Sequence, residues 1–140
     1  MDALRPILLV EDNPMDVDLT LRAFRLRNLG NAVQVARDGE EAIDMLNGMA
    51  ASANLPAVVL LDLKLPRISG LEVLRHIKQD PRLQTLPVVV LTSSQEDSDV
   101  AAAYQLGANS YIVKPVDFDK FMDVAAQIDL YWCVLNVSKT

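Results

Sequence analysis

Two four-residue runs, Val58-Val59-Leu60-Leu61 and Val88-Val89-Val90-Leu91, limit what this chain can become. Neither alternates apolar with polar residues and both are short, so they read as strands covered on both faces. Such cover arises when helices lie on each side of a parallel sheet. With stretches at residues 7–10, 32–36 and 110–113, and the two runs extended to 57–61 and 87–91, five strand candidates result. Longer amphipathic segments separate them, and a fifth follows the last. Right-handed crossovers wind this pattern into an α/β fold: a doubly wound five-stranded parallel sheet with five helices.

The helix starts carry their own chemistry. Asn13-Pro14 offers a side-chain acceptor followed by proline at a position that needs no amide hydrogen. Asp38 with Glu41, and Ser69 with Glu72, have the spacing of capping boxes, and Ser94 with Asp97 supplies a cap for the fourth helix. Val17, Leu21 and Phe24 form one apolar stripe; Phe118, Phe121, Ala125 and Ile128 form another. The stretch 48–56, rich in Ala, Ser and Asn, reads as a surface loop.

With 140 residues, 51% of them apolar, one compact domain is expected. A net charge of −6 argues against a nucleic-acid footprint and against adhesion to anionic membranes. Cys133 and His76 are each the only residue of their kind, which excludes an intrachain disulfide and a His/Cys zinc cluster. The opening Met1-Asp2-Ala3-Leu4-Arg5-Pro6 lacks the pattern of a signal peptide, and no apolar run approaches membrane-spanning length, so a cytoplasmic protein is expected.

In open parallel sheets, ligands bind beyond the carboxyl ends of the strands. Those ends here carry Glu11-Asp12, Asp62, Thr92-Ser93 and Lys114-Pro115. Three converging carboxylates repel unless a cation joins them, and Mg²⁺ takes a few carboxylates while keeping waters. A lysine and a threonine hydroxyl beside them suit a transferring phosphoryl group, with one aspartate as carboxylate nucleophile.

The set Glu11-Asp12, Asp62, Thr92 and Lys114-Pro115 on a five-fold βα pattern resembles the receiver domain of two-component response regulators, over roughly residues 5 to 130. The resemblance implies a flavodoxin-like (βα)5 receiver domain at 1–130 with a tail at 131–140. It implies that Asp62 accepts a phosphoryl group from a sensor histidine kinase, and that Mg²⁺ is held by Asp12, Asp62 and the backbone carbonyl of Lys64, with Glu11 holding a metal-bound water. Thr92 would bond the phosphoryl oxygen, Lys114 would ion-pair with it, Tyr111 matches the rotating aromatic switch, and Pro115 would follow a cis peptide. Pro6-Ile7-Leu8-Leu9-Val10-Glu11-Asp12-Asn13, with Gly30-Asn31, looks most like single-domain regulators partnered with bacterial phytochromes. Output would pass to a downstream protein or phosphotransfer partner.

Plainer readings stand beside these. Asp12 or Asn13 alone could simply cap a helix, Thr92 could be an ordinary β-former, and Tyr111 a half-buried strand aromatic. Asp62 resists this, because an unpaired charge closing a deeply apolar strand is costly. His76 reads as a surface residue, and Cys133 as packing. A haloacid dehalogenase-type phosphatase also uses a strand-end Asp with Mg²⁺, but wants a second Asp where Lys64 stands; a non-phosphorylated pseudo-receiver would lack part of the set. Finally, Tyr131, Trp132, Val134 and Leu135 extend past the receiver pattern, predicting a homodimer through the fourth and fifth helices and the tail.

Overall fold

The computed structural model describes residues 5–26, 31–93, 96–114 and 123. The order is β1 (Ile7–Val10), α1 (Pro14–Leu26), β2 (Val33–Ala36), α2 (Gly39–Ala51), β3 (Val58–Leu61), α3 (Gly70–Gln79), β4 (Val88–Thr92), α4 (Asp97–Gln105) and β5 (Ser110–Val113). The five strands form one parallel sheet in the order β2-β1-β3-β4-β5. Four helices lie among the described residues. The expected fifth helix, Pro115, Cys133 and the tail proposed for dimerisation lie outside them.

The two uniform apolar runs are explained by cover on both faces. Val59, Leu61, Val88 and Val90 pack with Ala42 and Leu46 of α2, Val73, Leu74 and Ile77 of α3, and Ala103 of α4. Their neighbours Val58, Leu60 and Val89 turn the other way, toward Val17 and Phe24 of α1. The edge strands β2 and β5 are only partly buried, as open sheet edges are. Among the described residues no helix is long and apolar enough to cross a membrane.

Three caps form where their residue types require. Asn13 Oδ1 accepts from the amides of Met15 and Asp16, Asp38 from that of Glu41, and Ser69 from that of Glu72. Two expectations need correction. Residues 48–51 are helical rather than loop, because α2 runs to Ala51 and Ala50 packs against the core; alanine is the strongest helix former, and small side chains there reflect packing. The cap position of α4 is Glu96, in extended conformation and without a side-chain cap bond; Ser94 lies outside the described residues. Asp97 and Asp99 in the first turn favour that helix start through its dipole.

Candidate functional site

β1, β3 and β5 release the chain at one edge of the sheet, each onto charge: Glu11-Asp12 after Val10, Asp62 after Leu61, and Lys114 after Val113. The winding direction reverses between β1 and β3, which opens a crevice at their carboxyl ends. There, one carboxylate oxygen from each of Glu11, Asp12 and Asp62 lies within 4.8 Å of the others. Glu11 and Asp62 are buried, while Asp12 faces solvent. Asn13, Asp16, Lys64, Ser93 and Lys114 join them around a cleft of about 420 Å³. A larger hollow of about 530 Å³ lies at the opposite edge of the sheet beside Arg5, Gln34 and Ser52, but no carboxylate lines it.

The Lys114 ammonium sits among three carboxylates. Its Nζ donates to Glu11 Oε1 at 2.5 Å, to Asp16 Oδ2 at 2.8 Å and to Asp62 Oδ2 at 3.3 Å. The second oxygen of Glu11 accepts from the Asn13 amide at 3.2 Å, and Asp62 Oδ1 accepts from the Lys64 amide at 3.1 Å. One ammonium cannot neutralise three anions. Burial, with the charge of Asp62 adding to it, therefore pushes the Glu11 carboxyl up to about 7 although Lys114 pulls the other way. Burial acts to lower Lys114, but its bonds to Asp16 and Glu11 and the charges of Asp62 and Glu11 outweigh that and hold it above its ordinary value.

Hard oxygen donors converging on a mixed buried and exposed pocket suit a divalent cation such as Mg²⁺. Glu11, Asp12 and Asp62 could hold it, and the ammonium already seated there marks the same electrostatic demand. Asp62 is fixed from behind by Gly70. A Cβ at position 70 would stand 2.4 Å from the Leu63 Cα, so only glycine lets α3 start against this turn, and the Gly70 amide donates to the Leu63 carbonyl at 2.9 Å.

Other expected site residues surround this centre. Thr92 is fully buried at the last position of β4, and its carbonyl accepts from the Lys114 amide at 2.7 Å. Lys64 is exposed on the rim. Tyr111 is half-buried on β5 beside Val90, with its ring centroid 6.4 Å from that of Tyr104 on α4. His76 departs from its surface reading. It is half-buried, with Nε2 3.0 Å from Asn47 Oδ1, and so ties α3 to α2.

Sequence reasoning missed Asp16. It read as an acid in a first helical turn, and no local signal connects it to a lysine 98 positions later. Only the adjacency of the α1 start to the end of β5 reveals the pair.

The family described as response regulator receiver domain matches residues 7–126. The response regulator Rcp1 of Synechocystis sp. is 37% identical over 128 residues, covering 90% of this chain and 87% of that protein. Its Mn²⁺-bound form superposes with a TM-score of 0.81 at 36% identity, over 93% of this chain and 95% of that one. The bacteriophytochrome response regulator AtBRR is 50% identical with a TM-score of 0.76, over 96% and 99% of the two chains. The phosphorylated cyanobacterial phytochrome response regulator RcpA gives a TM-score of 0.83 at 37% identity, over 99% and 97%.

Proposed function

From the premise that this chain belongs to the response regulator receiver domain family, we propose that Asp62 is its phosphoacceptor and that a sensor histidine kinase is the donor. The observation that carries this reading is the seating of Asp62 beside both a carboxylate cluster and the Lys114 ammonium. An Asp62 carboxylate oxygen attacks the phosphorus of a phosphohistidine. The new O–P bond forms as the P–N bond breaks, leaving an acyl phosphate here and a proton-accepting imidazole on the donor. A divalent cation, Mg²⁺ for preference, held by Glu11, Asp12, Asp62 and the Lys64 carbonyl would offset the charge of the phosphoryl oxygens.

The chain's own groups supply the rest. Lys114 can turn an N–H from a carboxylate to a phosphoryl oxygen with little movement, since it already lies 3.3 Å from Asp62. Thr92, at the end of the neighbouring strand, supplies the hydroxyl that a phosphoryl group on Asp62 draws inward, and Tyr111 on β5 responds to the space that this leaves. The resulting change at α4 and β5 is a population shift read by protein partners. The phytochrome-associated relatives support a bacterial phytochrome as the kinase.

Incubation with acetyl phosphate and MgCl₂ followed by intact-mass measurement tests this reading. The wild-type chain should gain one phosphoryl group and Asp62→Asn none. A persistent gain in that variant would overturn the assignment. Transfer from an autophosphorylated phytochrome kinase, but not from unrelated histidine kinases, tests the partner.

A further inference from the structure

Lys114 holds two kinds of carboxylate, and they differ in what a metal ion would do to them. Glu11 and Asp62 belong to the convergent acidic cluster; Asp16 does not. In the metal-free chain Lys114 is thus an internal counter-ion that competes with any cation for Glu11 and Asp62. Asp16 stands one step outside, on a rigid support. Its amide donates to the Asn13 cap, and its carbonyl accepts from the buried Thr20 hydroxyl at 2.8 Å. Its side chain is 27% exposed, so holding an ammonium there costs little desolvation.

We infer that Asp16 is a positioning residue that hosts the Lys114 ammonium when a divalent cation takes over Glu11 and Asp62. The exchange needs somewhere for the lysine charge to go. Without Asp16, an incoming cation must either displace Lys114 into solvent or bind beside it against its repulsion. With Asp16, the ammonium keeps one strong bond while two of its N–H groups are released toward the cleft. The lysine then stays within reach of Asp62.

This inference rests on the cation-site reading of Glu11, Asp12 and Asp62, but requires no phosphoryl transfer. Calorimetry of the full chain with MgCl₂ separates the two. Wild-type binding tests the cation site itself, and absence of binding would overturn both. Given a binding wild type, Asp16→Asn should weaken Mg²⁺ by about fivefold, the scale of losing one partly exposed ion pair. Lys114→Met should tighten Mg²⁺, because the competitor is gone. In the Lys114→Met background the Asp16→Asn step should shrink to less than about twofold, since its effect passes through the lysine. Asp16→Glu, which keeps the charge, should restore most of the affinity. An equal loss in both backgrounds would make Asp16 a ligand or a simple long-range charge, and no loss from Asp16→Asn alone, with Lys114 intact, would remove its role; either result overturns the inference. Matching thermal melts of the single variants confirm that folding is intact.

Discussion

A Cβ on Gly70 would stand 2.2 Å from the carbonyl oxygen of Asp62, so the start of α3 and the turn that follows β3 occupy adjoining space with no room for a methyl group. Gly70→Ala must push the 62–63 backbone outward. Overpacking of this kind costs about 1–3 kcal/mol. We expect a lowered urea midpoint together with slower phosphoryl gain from acetyl phosphate. Gly48→Ala is the matched control, because a Cβ there meets nothing within 4 Å. That change should be neutral or mildly stabilising, as alanine favours a helix interior.

Glu11 gives the metal-free chain a specific pH dependence. Its folded value near 7 lies above the ordinary 4.5, so the folded state binds the extra proton between these limits. Stability from this group is complete below about pH 4.5 and is lost as pH rises through 7, by an amount on the order of 3 kcal/mol. Lys114, also raised, contributes stability that is present throughout this window and lost only at alkaline pH. Urea melts in chelator at about pH 5 and pH 8 should therefore show a decline for the wild type that Glu11→Gln largely removes. Identical slopes in the two proteins would contradict the placement of Glu11.

Lys78 fastens a loop far from the cleft. Its Nζ donates to the carbonyls of Gln84 at 3.2 Å and Leu86 at 2.9 Å, and burial holds its pKa below the ordinary value. Lys78→Met keeps the stem and removes both bonds, which should cost about 1–2 kcal/mol by urea denaturation. Mg²⁺ affinity should be unchanged, because α3's end lies at the opposite edge of the sheet.

Arg67 sits in the β3–α3 turn with φ of +65°, a left-handed conformation that glycine adopts without strain. Its compensation is an exposed pair with Glu40 at 3.2 Å, the kind of contact that contributes little. Arg67→Gly should raise stability by about 1 kcal/mol, seen as a melting point higher by about 3 °C. A lower melting point would show that the Glu40 pair outweighs the backbone strain.

The strands were legible because Val58–Leu61 carries its environment in its composition: four apolar side chains in a row can be satisfied only by cover on two faces. The acidic cluster was legible for a related reason, since Asp62 directly follows that run and the carboxyl ends of parallel strands share one edge. What escaped was tertiary in origin. The composition of residues 48–51 suits a loop as well as a helix, and packing of Ala50 against the core decides for helix; the sequence around His76 suits a solvated face, and Asn47 on α2 pairs with it instead. Asp16 escaped because its partner is chosen by the order of strands in space, to which a window of neighbouring residues is blind.

The separation between Lys114 and its partners also bears on how the chain is made. Glu11 and Asp16 precede it by 103 and 98 positions, and Asp62 by 52. Synthesis runs from the amino terminus, so a nascent chain carries all of the site's carboxylates well before it carries the lysine that compensates them. Until β5 leaves the ribosome, strands β1 to β4 carry this acidic rim without the lysine that pairs with it, and dissolved cations are what screens it. Adding β5 extends the hydrogen-bonded ladder beyond β4 and delivers the chain's own counter-charge in one event.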